Sequence, residues 1–387
     1  MPESLPTAVA VLRDQMQSLI DEQLRPLEDQ LSEDSTAAVP AEIAQAVREH
    51  SRQAGMWAMT QPTDFGGIEA GTLALTAVRE TLSAANLRLG RYVFGPGPGV
   101  LASAEGELRD TYLEPAMRGE KRGAFAFTEP TGADAPRPTW AARDGDDFVI
   151  TGRKAFVTGG ATADYYTALV NVEAGDGPDQ PEGTAMIVID RESPGVTIER
   201  EFRSLEGGDH IAMRLEAVRV PSWHVVGKVG EGMPRALRNI GNVRMAVAAQ
   251  ASGIAQWSVG FAEDHITSAH RTGQRLADRE GVRLRYAEMR ISAFAMRSML
   301  YRTARLVEEG GDDAVNEVMA TKVFCTEQVG QIVDQAVQLC GGGSLIEGHP
   351  LERLYREVRS MRFIEGASDI LRINIARGRI EFDSGRL

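Results

Sequence analysis

The chain is predicted to be an α+β protein, mainly α, in three parts: an N-terminal helical domain (residues 1–122), a small β-barrel or sandwich domain (123–227) and a C-terminal four-helix bundle (228–387). Three observations carry that reading. Apolar residues recur at helical spacing up to about residue 122, alternate with period two from Gly123 to Gly227, and return to helical spacing from Gly230 onward. Clusters of glycine and proline fall where a helix has to end. With 387 residues and 43% apolar content, the chain is long enough to bury a core spread over two or three domains.

In the first part Val9, Leu12, Met16 and Ile20 lie on one helical stripe, and a second apolar pattern runs from Ile43 to Val47. Phe65-Gly66-Gly67 and Gly95-Pro96-Gly97-Pro98-Gly99 cannot continue a helix. The second run reads as a pocket-side loop or as an ordinary connection. In the middle part, strands are predicted over 148–151, 155–158, 165–172, 185–189 and 211–218, separated by turn sequences such as Asp144-Gly145-Asp146-Asp147. Short strands with frequent turns suit a small barrel or sandwich.

The last part carries three apolar faces: Val247, Ala251, Ile254 and Phe261; Met289, Ala293, Met296, Leu300, Ala304 and Val307; and Met319, Val323, Gly330, Val333, Val337 and Cys340. A final helix makes four, which is enough for a bundle. Just before it stands Glu365, between apolar Phe363 and Ile364 and flexible Gly366. Ser368 is the predicted N-cap, and Ile370, Ile373 and Ile380 recur at helical spacing behind it. Glu365 is therefore expected in a loop at a helix start, where a carboxylate can reach into a cavity. Taken alone, such a glutamate also reads as a solvated surface residue.

Composition narrows the function. A formal charge of −13, from 55 acidic against 42 basic residues, opposes nucleic acid or an anionic membrane as partner. Cys325 and Cys340 lie among apolar residues and read as buried reduced thiols, so a cytoplasmic location is expected. No uninterrupted apolar stretch suggests a signal peptide or membrane span. His265 and His270 are five apart and share no helix face, so no metal site is expected.

Three motifs occur in a telling order: Phe125-Ala126-Phe127-Thr128-Glu129-Pro130; then Gly152-Arg153-Lys154-Ala155-Phe156-Val157-Thr158; then Gln338-Leu339-Cys340-Gly341-Gly342-Gly343, followed by Arg356-Glu357 and Ile364-Glu365-Gly366-Ala367-Ser368. On these the chain resembles the acyl-CoA dehydrogenase family over nearly its whole length. The resemblance implies dependence on flavin adenine dinucleotide (FAD). It makes Phe127 and Thr128 the segment that hydrogen-bonds the flavin ring, Phe156 the aromatic that packs on it, and Thr158 the hydroxyl near its reactive nitrogen. The residues alone also allow Phe156 as ordinary core and Thr158 as surface. Gln338, Gly341, Gly342 and Asp369 are further implied cofactor contacts, and Arg271 an implied pyrophosphate contact.

By the same resemblance Glu365 is the base that removes the alpha proton of an acyl thioester, with its own amide among the donors to the thioester oxygen. The alternative base position, before Arg244, holds Val243. Arg244 matches an arginine that steadies the active-site loop, and Ala133, Asp134 and Gly366 complete the implied substrate contacts. Two departures stand out: Ala133 replaces a usual serine, and Arg271-Thr272-Gly273-Gln274 is a shortened motif without its phenylalanine. The basic run from Arg271 to Arg290 reads equally as a phosphate anchor or as a solvated face. The implied partners are an acyl-CoA or acyl-carrier-protein thioester, an electron-transfer flavoprotein, and further copies of the chain in a homotetramer or homodimer. Two other readings stay open: a monooxygenase or other non-dehydrogenase on this scaffold, and a flavin-poor subunit that completes a partner's site.

Overall fold

A computed structural model describes residues 4–32, 37–130, 138–175, 182–270, 273–310 and 314–385. Helix α1 (Thr7–Leu19) runs through a π turn into the short α2 (Arg25–Glu28), followed by α3 (Ala41–Gln53) and α4 (Thr72–Ala84). Two brief helices, α5 (Gly106–Leu108) and α6 (Glu114–Arg118), lead into eight strands. These are β1 (Gly123–Ala126), β2 (Trp140–Asp144), β3 (Asp147–Thr158), β4 (Tyr165–Val172), β5 (Gly183–Asp190), β6 (Val196–Arg203), β7 (Asp209–Pro221) and β8 (Val225–Val226). The chain ends in α7 (Gly232–Thr267), α8 (Glu280–Gly310), α9 (Val315–Cys340), α10 (Pro350–Ser360) and α11 (Ser368–Phe382). The chain is thus mainly helical, with a central mixed sheet.

It forms two compact units: residues 1–60, 67–95 and 241–387 in one, residues 61–66 and 96–240 in the other. In the first, the predicted apolar faces become core. Val247, Ala251 and Ile254 of α7 gather with Met289, Met296 and Leu300 of α8 and Val333 of α9. Across this core runs a polar network. The buried Glu80 carboxylate of α4 accepts from Ser252 Oγ at 2.6 Å, Arg297 Nε at 3.0 Å and Tyr301 Oη at 2.7 Å, so a charge without solvent has partners on every side.

The second unit holds the sheet, in the order β6-β7-β3-β2-β4-β5-β8 with β1 beside β4. Ala168, Val170, Ile187 and Ile189 share one cluster with Ile150, Val157, Ile211 and Met213, while the opposite faces of β4 and β5 (Tyr165, Leu169, Met186, Val188) pack on Leu108, Tyr112 and Leu113. With both faces covered, β4 and β5 read as continuous apolar runs rather than alternating ones.

Several local expectations change. The two strands predicted over 148–158 are one strand, β3, and β1, β2, β6 and β8 went unpredicted; β1 and β2 are short and carry no β-branched residue, and β8 is only two residues long. Helix α11 begins at Ser368, with Ala367 in the N-cap position, so Ser368 is not the cap. Ile370, Ile373 and Ile380 lie on its exposed side, at 53%, 61% and 82%, and it is Leu371 that meets Met319 and Val323. Glu80→Ala should destabilise the protein by about 3–5 kcal/mol, because Arg297 is left without its carboxylate. Chemical denaturation checks this, and Glu80→Gln should cost less.

Candidate active site

The Glu365 loop is built from both ends. Upstream, His349 caps α10 by accepting from Leu351 N–H at 3.1 Å, and Pro350 fills the first helical position. Downstream, Ser368 N–H donates to the Arg362 carbonyl at 3.0 Å and starts α11. Between them the chain reverses on two residues with positive φ, Glu365 (53°) and Gly366 (109°). A Cβ on Gly366 would stand 3.0 Å from Leu371 Cδ2, so glycine is required there on grounds of both φ and space. A glutamate at φ 53° carries strain of the kind that collects at functional sites.

Two buried cations hold this turn. Arg244 on α7 donates through Nε to the Glu365 carbonyl at 3.0 Å. Lys322 on α9, fully buried, donates through Nζ to the carbonyls of Arg362 at 3.1 Å and Gly366 at 2.8 Å. The carbonyls on both sides of Glu365, and its own, are therefore tied to charge. Burial raises the Glu365 carboxyl above the ordinary glutamate range, against the pull of Arg244 and Lys322. Burial also brings the Lys322 ammonium down to about 8, with Arg244 adding to the effect and Glu365 and Glu327 opposing it. Phe363 and Ile364 stand exposed beside the loop. The structure thus brings Glu365, Arg244 and Gly366 together and adds Lys322, which sequence reading passed over. Its signal was a lone lysine inside an apolar helix face, Thr321-Lys322-Val323.

Gln338 and Gly341 lie elsewhere in this unit, exposed at the C-terminal end of α9, where Gly341 takes φ 79°. Gly342 opens the following 3₁₀ turn, and Asp369 is exposed at the start of α11, paired with Arg372 at 3.3 Å. Arg275 pairs with Asp278 at 2.9 Å in a 3₁₀ turn ahead of α8, so this part of the basic run is not a helix face. Arg271, Ala133 and Asp134 fall outside the described residues.

In the second unit, β3 carries a bulge: Lys154 pairs with Met213 and Val157 with Ile211, leaving Ala155 and Phe156 opposite Ala212 alone. The bulge frees Ala155 N–H to donate to the Thr128 carbonyl at 2.9 Å. It also sets Phe156 at φ 54°, with the residue 63% exposed. The Thr128 backbone is thereby tied to β3 next to Phe156. Beneath them Lys154, likewise buried, donates to the Phe127 carbonyl at 3.3 Å and to Glu129, whose carboxylate also accepts from Thr139 Oγ1 at 3.1 Å. These residues fit a flavin: an exposed aromatic at Phe156, the Thr158 hydroxyl two residues on along the same strand, and Thr128 on backbone tied to that strand.

The chain is similar to known proteins over most of its length. Models of the acyl-CoA dehydrogenase N-terminal, middle and C-terminal domains match residues 8–120, 124–218 and 230–380. Cyclohexane-1-carbonyl-CoA dehydrogenase of Geobacter metallireducens is 30% identical over 332 residues, 84% of this chain and 86% of that one. A subunit of the caffeyl-CoA reductase-Etf complex of Acetobacterium woodii is 26% identical over 87% of this chain and 89% of its own. The crystal structure of acyl-CoA dehydrogenase from Geobacillus kaustophilus has the same fold, with a TM-score of 0.78 at 22% identity over 98% of this chain and 99% of that one. Three domain models in sequence, with a dehydrogenase matched along most of both chains, show that this protein belongs to the acyl-CoA dehydrogenase family of FAD-dependent oxidoreductases acting on CH–CH bonds.

Proposed function

We propose that Glu365 is the base of an acyl-CoA dehydrogenation, taking the alpha proton of the acyl thioester as the 2-enoyl product forms. The observation that carries this is a half-buried carboxylate raised by burial, on a turn whose carbonyls are held by Arg244 and Lys322. When bound, FAD accepts the two electrons and the hydrogen that leave the beta carbon. Raising the carboxyl brings its basicity closer to that of the carbon acid. The exposed Phe363 and Ile364 offer an apolar approach for the acyl chain. The fixed turn sets the direction of the Glu365 amide, a donor for charge developing on the thioester oxygen. Phe127, Thr128, Phe156 and Thr158 would hold the flavin ring, with Gln338, Gly341, Gly342, Asp369 and Arg271 contributing to the rest of the cofactor. Ala133 and Asp134 would line the substrate side.

The electron partner is proposed to be an electron-transfer flavoprotein, supported by the relative that works as a subunit of a reductase-Etf complex. Among the described residues no helix is long and apolar enough to cross a membrane. The free thiols of Cys325 and Cys340 support a cytoplasmic setting. A homotetramer or homodimer is supported by the exposed apolar residues Leu284, Ile291 and Phe294 on α8 and Ile370, Ile373 and Ile380 on α11. Light scattering should give a mass of two or four chains, and Ile373→Asp should lower it. The acyl group is proposed to be short, branched or held on a carrier protein. Titrating the oxidised flavin with a thioester panel that includes cyclic and aromatic acyl groups identifies it.

Glu365→Gln should retain FAD but lose about 10²- to 10⁴-fold in kcat. Full bleaching of its flavin by substrate at the native rate would sink the assignment. Because the carboxylate must be ionised to accept a proton, activity should fall with falling pH through a value above the ordinary glutamate range. Lys322 pulls that value down, so Lys322→Met should move the acid limb to higher pH. It should also lower kcat/KM by on the order of a hundredfold through loosening of the turn.

A further inference from the structure

Beside Phe156 and Thr158 lies a chain of hydrogen-bonded side chains that the reaction as described leaves unused. Thr158 on β3 pairs with His210 on β7, and His210 pairs in turn with Phe202 on β6. The His210 ring stacks on Phe202 with centroids 5.6 Å apart and planes 27° apart, and Phe202 meets Phe156 edge-on at 5.4 Å. Both imidazole nitrogens have partners: Nδ1 lies 3.1 Å from Thr158 Oγ1, and Nε2 lies 3.0 Å from Ser204 Oγ. Ser204 Oγ donates to Glu206 Oε1 at 2.6 Å, with the Gly208 carbonyl at 3.1 Å as a second acceptor. Glycine at 208 leaves room for the cluster. A Cβ there would stand 3.0 Å from Ser204 Oγ, 3.2 Å from Glu206 Oε1 and 3.4 Å from His210 Nε2.

Counting protons assigns a direction to every bond. A serine hydroxyl has one proton, and both groups available to receive it, a carboxylate and a carbonyl, can only accept. Ser204 Oγ must therefore accept from His210, which places the imidazole proton on Nε2. In the neutral ring Nδ1 is then a bare acceptor, and Thr158 has to donate to it. With its one proton committed, Thr158 presents only lone pairs on its remaining side.

We propose that His210 is a positioning residue that locks the Thr158 hydroxyl as a hydrogen-bond acceptor toward the flavin, so that the protein favours the reduced ring. The inference rests on the reading that Thr158 faces the reactive flavin nitrogen. That nitrogen is a bare acceptor in oxidised flavin and carries a hydrogen in reduced flavin. A locked acceptor opposes the first with a lone pair and hydrogen-bonds the second, which raises the midpoint potential. Freed from His210, the threonine hydroxyl could turn its proton outward and serve the oxidised ring equally well.

The test is the midpoint potential of the FAD-loaded protein, measured by dye equilibration for Thr158→Val, His210→Leu and the double variant. Each single variant should lower the equilibrium for reduction roughly tenfold, about 30 mV for a two-electron couple. The double variant should fall no further than Thr158→Val alone, since the histidine acts only through that hydroxyl. Should His210→Leu lose its flavin, Ser204→Ala is the substitute. It lets the imidazole proton move to Nδ1 and should shift the potential in the same direction by less. A potential unchanged in the His210 variant while Thr158→Val shifts it, or additive shifts in the double variant, overturns the role of His210 and leaves Thr158 at the flavin. No shift in either single variant overturns the Thr158 reading and this inference with it.

Discussion

Two lysine ammonium groups shut away from solvent shape the candidate-site segments of this protein. An ammonium out of water is costly unless its hydrogens find acceptors, so each lysine compels nearby backbone to turn carbonyls toward it. Lys322 draws in the carbonyls of Arg362 and Gly366, and the turn that satisfies it carries Glu365. Lys154 draws in Phe127 O and the Glu129 carboxylate, and the segment that satisfies it carries Thr128. Neither lysine needs to meet a substrate. Their effect is to remove alternative conformations from backbone that would otherwise be ordinary loop.

Strain appears where those constraints act. Phe156 and Glu365 take φ of 54° and 53°, a region that bulky and acidic side chains seldom occupy, at a cost on the order of 1–3 kcal/mol each. In the sheet the bulge opposite Ala212 forces it; in the helical unit the tethers from Arg244 and Lys322 do. The consequence for chemistry is direction. An aromatic face projects from a strand, and a carboxylate projects from a turn, each from backbone that cannot relax without abandoning buried hydrogen bonds. The Thr158–His210–Ser204–Glu206 chain extends the same principle to a single proton, whose place is set by acceptors that have no proton of their own.

Sequence reading reached the architecture because period carries it. Three apolar helical faces in the last third and alternation along 211–218 are written directly in the residues, and Met289, Met296, Ile211 and Met213 are core as expected. Reading failed where burial depends on partners distant in sequence. Helix α11 offered Ile370, Ile373 and Ile380 as its face, yet packing chose Leu371, because Met319 and Val323 of α9 lie on that side. Lys322 looked like an interruption in an apolar face, and nothing local shows that carbonyls 40 and 44 residues away would receive it.

By itself, then, the sequence determined the succession of helical, β and helical parts, the family motifs, and the identity of the candidate base, since Val243 leaves Glu365 without a rival. Periodicity and residue chemistry are local properties, and a single chain displays them. The tertiary structure alone decided how those residues are held: the tethering of the Glu365 turn by two cations, the bulge that turns Phe156 outward, and the proton order that commits the Thr158 hydroxyl. Each needs segments remote in sequence to pair first, and for the bonds of the buried Lys322 desolvation makes them obligatory once the chain has closed around them.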